Sequence, residues 1–299
     1  MTLYVGHLFD LMIYKVKIDN IIKYEKLIFN DMFNSCIVEI NFPDYIDTMI
    51  FGYKFNQNIT GVKLPQSLRI LKFGHMFNQD LDYVKFPKSI YTLTFKTMFN
   101  QDIKYSKFPD NLHNLIFGEE FNQDLTYVNF PSKLRLLNFG DKFNQYINTV
   151  LFPKSLHSIK FGYYFNRPFI TNGIELKHIQ FGEMFSQPIR TIKFPQSLLH
   201  LHLGNKFNQC MDFILLPKNI TILNTGNSFN KQINNIYFPI ALNMLLLGCS
   251  FYQNITNVLF PPNLRHMQLG SFYNIKDISF PSTLKSYQLG NNIHIKLHT

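Results

Sequence analysis

The residues whose types and spacing come nearest to chemistry are three histidines, His178, His200 and His202. His200 and His202 stand two apart, which on a strand puts both rings on one face, and His178 lies 22 residues before His200. Imidazoles gathered in this way can hold a divalent metal. The ten histidines are otherwise scattered, so ordinary surface histidines are the expectation, with no metal and no cofactor. Asp80, Asp102 and Asp124 form a second series, spaced by 22, that could stack as a row of carboxylates. The parallel series Lys63, Lys85 and Lys107 reads instead as charge compensation on a solvated turn. No Gly-rich phosphate loop, His-Glu-x-x-His pair, nucleophile elbow or Cys/His zinc spacing occurs, and no catalytic residue is assigned. The chain is expected not to be an enzyme.

The number 22 belongs to the whole chain. Ile59 to Asp80 reads ITGVKLPQSLRILKFGHMFNQD, and Leu81 to Asp102 reads LDYVKFPKSIYTLTFKTMFNQD. An anchor phenylalanine recurs at Phe33, Phe55, Phe77, Phe99, Phe121, Phe143 and Phe165, then at Phe185, Phe207, Phe229, Phe251 and Phe272. One such unit cannot bury its own apolar edge, so the units must stack as a solenoid. The expected fold is about twelve to thirteen 22-residue leucine-rich-repeat-like coils, mainly short parallel β-strands with little helix. Stacking at ~4.8 Å would give a length on the order of 60 Å.

Each unit has two similar halves. The first ends apolar-x-Phe/Leu-Pro (Leu64, Pro65) and the second Leu-x-Phe-Gly (Leu71, Phe73, Gly74). Both endings have the period of a strand with one buried face, so each half is expected to hold a short strand. Proline stops the first, and glycine the second by supplying a turn of positive φ. Asn30 holds the glycine place in the first full unit, and Lys96 is its bulky exception, where strain or a rebuilt turn is expected. The Asn-Gln after each anchor, such as Asn78 and Gln79, should form an amide ladder between coils. Residues 1–28 read as a degenerate capping unit, with Val5-Gly6-His7-Leu8-Phe9 imitating Phe73 to Phe77. Residues 29–289 read as the solenoid, and 290–299 as a C-terminal cap with Ile293 in the anchor place. Near 166–185 one unit is two residues short and should bend the stack or open a groove by Asn172 and Gly173.

Structural columns repeat because packing repeats. The columns that vary are therefore the informative surface. One runs Arg69, Tyr91, His113, Arg135, His157, Lys177 and on to Arg265; the next includes His178, His200 and His266. These ten are the candidate partner-binding residues.

The formal charge is +10, from 29 basic and 19 acidic residues, which suits an acidic protein surface, nucleic acid or an anionic membrane. No dense basic block or RNA-binding motif occurs, so a protein partner is preferred over nucleic acid. Cys36, Cys210 and Cys249 are too few and too scattered for a disulfide framework and fit a reducing compartment. Leu3 to Tyr14 lacks the basic leader of a signal sequence, and the apolar run Phe238 to Phe251 is too short to span a bilayer. No membrane association is expected, and the cytoplasm is the expected location.

Phe185-Ser186-Gln187-Pro188-Ile189 and Phe165-Asn166-Arg167-Pro168-Phe169 resemble the Phe-Asn-x-Pro-Ile signature of FNIP repeats. These are leucine-rich-repeat relatives of social amoebae and amoeba-infecting giant viruses. Most other units keep Phe-Asn-Gln but carry Asp, Asn or Tyr in the proline place. The resemblance spans Ile28 to the C-terminus. It implies a solenoid used for protein interaction through its exposed sheet, with a host protein as partner, in the host cytoplasm, if the chain is viral. Some members carry an F-box ahead of the repeats and recruit ubiquitin-ligase substrates. Here too few residues precede the first good unit for such a domain.

Overall fold

The computed structural model describes residues 2–6, 25–171, 173–271, 273–274, 278–290 and 293–297. The chain divides into two compact units, 1–145 with 149–156, and 146–148 with 157–299. Each unit is a parallel β-solenoid. In the first, β1 (Thr2–Val5), β2 (Lys26–Phe29), β3 (Thr48–Ile50), β4 (Ile70–Lys72), β5 (Thr92–Thr94), β6 (Asn114–Ile116) and β7 (Leu136–Asn138) lie side by side in chain order. In the second, β8 (Ser158–Lys160), β9 (His178–Gln180), β10 (His200–His202), β11 (Ile222–Asn224), β12 (Met244–Leu246), β13 (His266–Leu269) and β14 (Ser286–Leu289) do the same. The parallel strands pair without slippage, Leu71 beside Leu93 and Leu201 beside Leu223. The middle residue of each three-residue strand is buried, which fixes the register. No α-helix occurs among the described residues.

Among the described residues only the second half of each repeat makes a strand, contrary to the symmetry of the two halves in sequence. The first half opens with a turn, Val62 N–H donating to Ile59 C=O at 3.1 Å. It still alternates, with Val62 and Leu64 buried and Lys63 exposed. Pro65 explains the difference. It has no N–H to give a ladder, and its carbonyl is taken by Leu68 N–H, at 3.1 Å, in the turn that launches β4. The same Pro-to-Leu/Ile turn recurs at Pro87–Ile90, Pro109–Leu112 and Pro131–Leu134. A hydroxyl inside that turn ties it to the previous coil: Ser67 Oγ donates to Ile46 C=O and Ser89 Oγ to Leu68 C=O, both at 2.7 Å.

The anchor phenylalanines form the expected buried spine. Phe55, Phe77, Phe99, Phe121 and Phe143 stack with centroids 6.1–6.2 Å apart in the first unit. In the second, Phe165, Phe185, Phe207, Phe229 and Phe251 stack at 6.0–6.4 Å. A second aromatic column lies against the first, with Phe73 only 3.9 Å from Phe77 and 5.3 Å from Phe95. Aromatic pairs add ~0.5–1.5 kcal/mol to what their burial supplies, so the doubled spine accounts for the heavy use of phenylalanine. The next ring after Phe251 is Tyr273, stacked at 6.0 Å and 10°. Tyr273 therefore holds the anchor place assigned above to Phe272, which lies outside the described residues. The choice keeps the 22-residue step and frees the tyrosine hydroxyl to donate to Gln253 C=O.

The glycine column exists for closeness and not for left-handed backbone. Only Gly226, Gly248 and Gly290 in that column have positive φ. At Gly74 a Cβ would stand 1.7 Å from the carbonyl oxygen of Gly52, one coil earlier. Coil presses on coil here, backbone to backbone, and a side chain has no room. Asn30 and Lys96 likewise have no left-handed geometry. Lys96, expected to mark a rebuilt turn, sits in a regular one: Phe99 N–H donates to Lys96 C=O at 3.3 Å, just as Phe121 N–H does to Gly118.

The amide ladder is present in both units. Asn56 Oδ1 accepts Asn78 N–H at 2.9 Å and Gln79 Nε2 at 2.9 Å, and the motif recurs through Asn78, Asn100 and Asn122. In the second unit Asn166 receives Ser186 N–H and Gln187 Nε2. The aspartate row is explained by turn capping: Asp80, Asp102 and Asp124 each accept the N–H two residues on, at 2.8–2.9 Å. Asn58 and Asn254 do the same. Asx capping of a turn that proline can also preset is why Asp, Asn and Pro alternate at this place. Among the described residues no ion pair joins this row to Lys63, Lys85 and Lys107, so such pairing is not what holds it.

The short coil keeps the spine and ladder in step, with Phe165 and Phe185 rings 6.3 Å apart. Its first half absorbs the loss. Phe169 turns edge-on to Phe161 and Phe181, at 75° and 84°, and buried Thr171 donates its hydroxyl to Lys193 C=O. Asn172 lies outside the described residues. At the N-terminus Val5 pairs with Phe29, in keeping with Val5 imitating Phe73; His7, Leu8 and Phe9 lie outside the described residues. At the C-terminus β15 (Ile293–Lys296) runs antiparallel to β14, so the closing element is a folded-back strand.

Candidate partner-binding face

The strands β4 to β13 offer their first and third side chains to the face opposite the core, and the residue before each strand joins them. The ten candidate residues all fall on this face, Arg69, Tyr91, Arg135, Lys177 and Arg265 exposed and the five histidines half-buried. In the first unit Arg69, Tyr91, His113 and Arg135 are joined by successive main-chain bonds of 2.8–2.9 Å. The rings of Tyr91 and His113 stack at 4.2 Å and 15°.

In the second unit the pairing register sets His178 beside His200, and His202 beside Gln180. The Nδ1 atoms of His178 and His200 are 2.9 Å apart, so one ring must donate while the other accepts. Burial, then the neighbouring His200, Lys177 and His157, hold the basicity of His178 below the ordinary value. His202 is lowered too, by burial first and by His200 and His178 after it. His157 sits one coil before Lys177, whose N–H donates to the His157 carbonyl at 2.8 Å. Arg265 and His266 stand apart from these, beyond the uncharged Leu199, Thr221 and Asn243. His266 Nδ1 lies 2.8 Å from the hydroxyl of buried Ser286.

The chemistry this face offers is that of imidazole and cationic groups. The histidine pair shares a proton and has Ser158 beside His178 across the sheet, but no cysteine or carboxylate stands in these strands. Among the described residues no three His, Cys, Asp or Glu side chains are grouped to hold a metal ion.

The ten candidates leave out several other surface residues. Lys160 and His202 share the sheet face with the chosen histidines. Away from it Tyr83, Tyr105 and Tyr127 are 78%, 66% and 72% exposed, one per coil. Lys104 Nζ lies between two of these rings, 4.9 Å from Tyr105 and 5.0 Å from Tyr127, a cation–π arrangement. Leu215, Tyr237 and Leu259 form an exposed apolar column in the second unit, next to Phe213, the one non-glycine residue of positive φ (57°) among those described. The tyrosine row was visible at the 22-residue spacing, but tyrosine counts as apolar in a pattern and so hides among core residues.

A model of the FNIP repeat matches residues 55–97, 99–142, 143–174, 174–206 and 207–250. The chain belongs to the FNIP repeat family. The matched segments are those that carry the phenylalanine spine and the amide ladder, so in this FNIP protein the family signature is a packing signature. The chain is also similar to CroV588, a protein of a giant virus whose crystal structure is described as a novel circular LRR protein structure. The two are 35% identical with a TM-score of 0.75 over 90% of this chain. The chain spans 43% of CroV588. No functionally curated protein matches it. No helix among the described residues is long and apolar enough to cross a membrane.

Proposed function

We propose that this FNIP protein is a non-catalytic scaffold that binds another protein through the exposed strand face. The observation that carries the reading is the contrast between columns: the buried ones repeat coil after coil, while the strand-face columns change at almost every step. Leucine-rich-repeat-like folds are generally scaffolds for protein interaction, and family membership supports that use here. A likeness to a giant-virus protein supports a host protein as the partner and the host cytoplasm as the place.

The test is affinity capture from amoebal lysate, with nuclease, at two salt concentrations, against a variant carrying Arg69→Ser, Arg135→Ser, Lys177→Ser and Arg265→Ser. A defined protein that survives nuclease and salt but is lost with the variant supports the reading. Recovery of nucleic acid alone, released by salt as counterion exchange requires, overturns it.

A further inference from the structure

The strand face of the second unit is free of carboxylates. Its strand positions and the residues leading into them, from His157 to Gln288, hold no Asp or Glu. The described carboxylates of this unit, Glu175, Glu183 and Asp212, all lie outside the strands. The face carries instead a compact cluster of His157, Lys160, Lys177, His178, His200 and His202 over three adjacent strands. Arg265 and Lys285 continue the sign further along.

The imidazoles are not fully paired off. His178 and His200 satisfy each other only while one of them is neutral, because two protonated rings would bring N–H against N–H at 2.9 Å. His157 Nδ1 is shielded from solvent and has no hydrogen-bond partner in the described structure. The other groups facing the pair are Ser158 and Lys160 on β8, Lys177 and Gln180 on β9, His202 on β10, and Ile222 and Asn224 on β11. None of them is an acid that could accept from a charged ring.

We propose that the strand face of the second unit docks an acidic segment of a protein partner and grips it more tightly in mild acid. This rests on the scaffold reading and adds the partner's chemistry to it. A carboxylate between His178 and His200 has two oxygens, one for each Nδ1–H, and so makes the doubly protonated pair favourable. Binding therefore takes up protons. The protein is favoured over nucleic acid as occupant because this face offers no exposed aromatic ring, other than imidazole, on which a base could stack.

The test uses the full chain and a labelled 16-residue peptide of alternating Asp-Gly and Glu-Ser, with single-stranded poly(U) of equal charge for comparison. Fluorescence anisotropy is read at pH 5.5, 6.5 and 7.5 at constant ionic strength, and calorimetry at pH 6.5 in buffers of different ionisation enthalpy. The expected result is peptide affinity on the order of ten-fold tighter at pH 5.5 than at 7.5, since each linked proton contributes up to a factor of ten per pH unit. Calorimetry should show net proton uptake. His178→Gln with His200→Gln should weaken the pH dependence and cost most affinity at pH 5.5, with an unchanged circular dichroism spectrum. Lys160→Ser with Lys177→Ser should weaken binding at every pH. Affinity flat across this range, a pH dependence undiminished in the histidine variant, or poly(U) binding tighter than the peptide would each overturn the inference. If capture finds a protein partner through this face while the peptide shows no pH response, the acidic-partner inference falls and the scaffold reading stands.

Discussion

The side-chain oxygen of Asn78 accepts the main-chain N–H of Asn100 at 3.0 Å and the side-chain amide of Gln101 at 2.9 Å. One atom thus satisfies two donors of the next coil, both part-buried. Asn78→Ala would orphan the Asn100 N–H, at a cost of about 1–3 kcal/mol, while Gln101 Nε2 keeps its bond to the Asn78 carbonyl at 3.2 Å. The expected outcome is a midpoint shift in urea denaturation without a new spectrum. An unchanged midpoint would show that water replaces the ladder at no cost.

Gly74 and Gly173 should resist substitution for different reasons. A Cβ at Gly74 meets a backbone oxygen of the previous coil at 1.7 Å, so Gly74→Ala must push two coils apart. Overpacking of that kind costs ~1–3 kcal/mol or more. Gly173 has open space within 4 Å but φ of +77°, so Gly173→Ala carries only backbone strain, about 1–2 kcal/mol. Thermal melts of the two variants should rank Gly74→Ala as the more damaging.

Stability should fall in mild acid. His178 and His202 are held less basic in the folded protein than in the unfolded chain, whose histidines titrate near pH ~6.5. The unfolded state therefore takes up protons first, and the fold loses stability as pH drops through that value. Above it these histidines contribute nothing to the slope. A separate loss follows at lower pH, because the Thr126 hydroxyl and N–H hold the Asp124 carboxyl below its ordinary value. That contribution is present above pH ~4 and disappears below it. Melting temperatures from pH 4 to 8 check both stages, and His202→Gln should flatten only the first.

The exposed apolar column should be dispensable for folding. Leu215 and Leu259 are 86% and 90% exposed, so Leu215→Ser and Leu259→Ser should move stability by no more than about 0.5 kcal/mol. A drop of several degrees in melting temperature would mean that these side chains are covered in the folded protein.

Much of this architecture was legible because the period is written twelve times over, and repetition averages out the ambiguity of any single unit. The spine and the amide ladder are the repeated columns made visible. The halves of the unit misled because Leu64 and Phe73 alternate alike, and only the fate of the Pro65 carbonyl separates a strand from a turn. Glycine misled because a sequence shows that a side chain is absent without showing why; at Gly74 the reason lies one coil away. Phe272 and Tyr273 are adjacent aromatic residues; residue type pointed to Phe272 and the 22-residue step to Tyr273, and the stacked ring decides for the tyrosine. On the binding face, the exposed columns could be read from their variability. The shared proton of His178 and His200 could not, since it depends on the rotation of two rings across a strand pair.

The amide ladder runs one way, each asparagine oxygen serving the coil that follows it. Consecutive coils are therefore interchangeable parts with a head and a tail, and a gene can gain or lose one whole 22-residue step without disturbing either neighbour's bonds. A step of another size has to be absorbed in the first half of a coil, as the 20-residue step from Phe165 to Phe185 is, for the following strands to keep their register. Growth by whole units is the path open to such a chain, and the variable face lengthens by one row of new side chains each time it is taken.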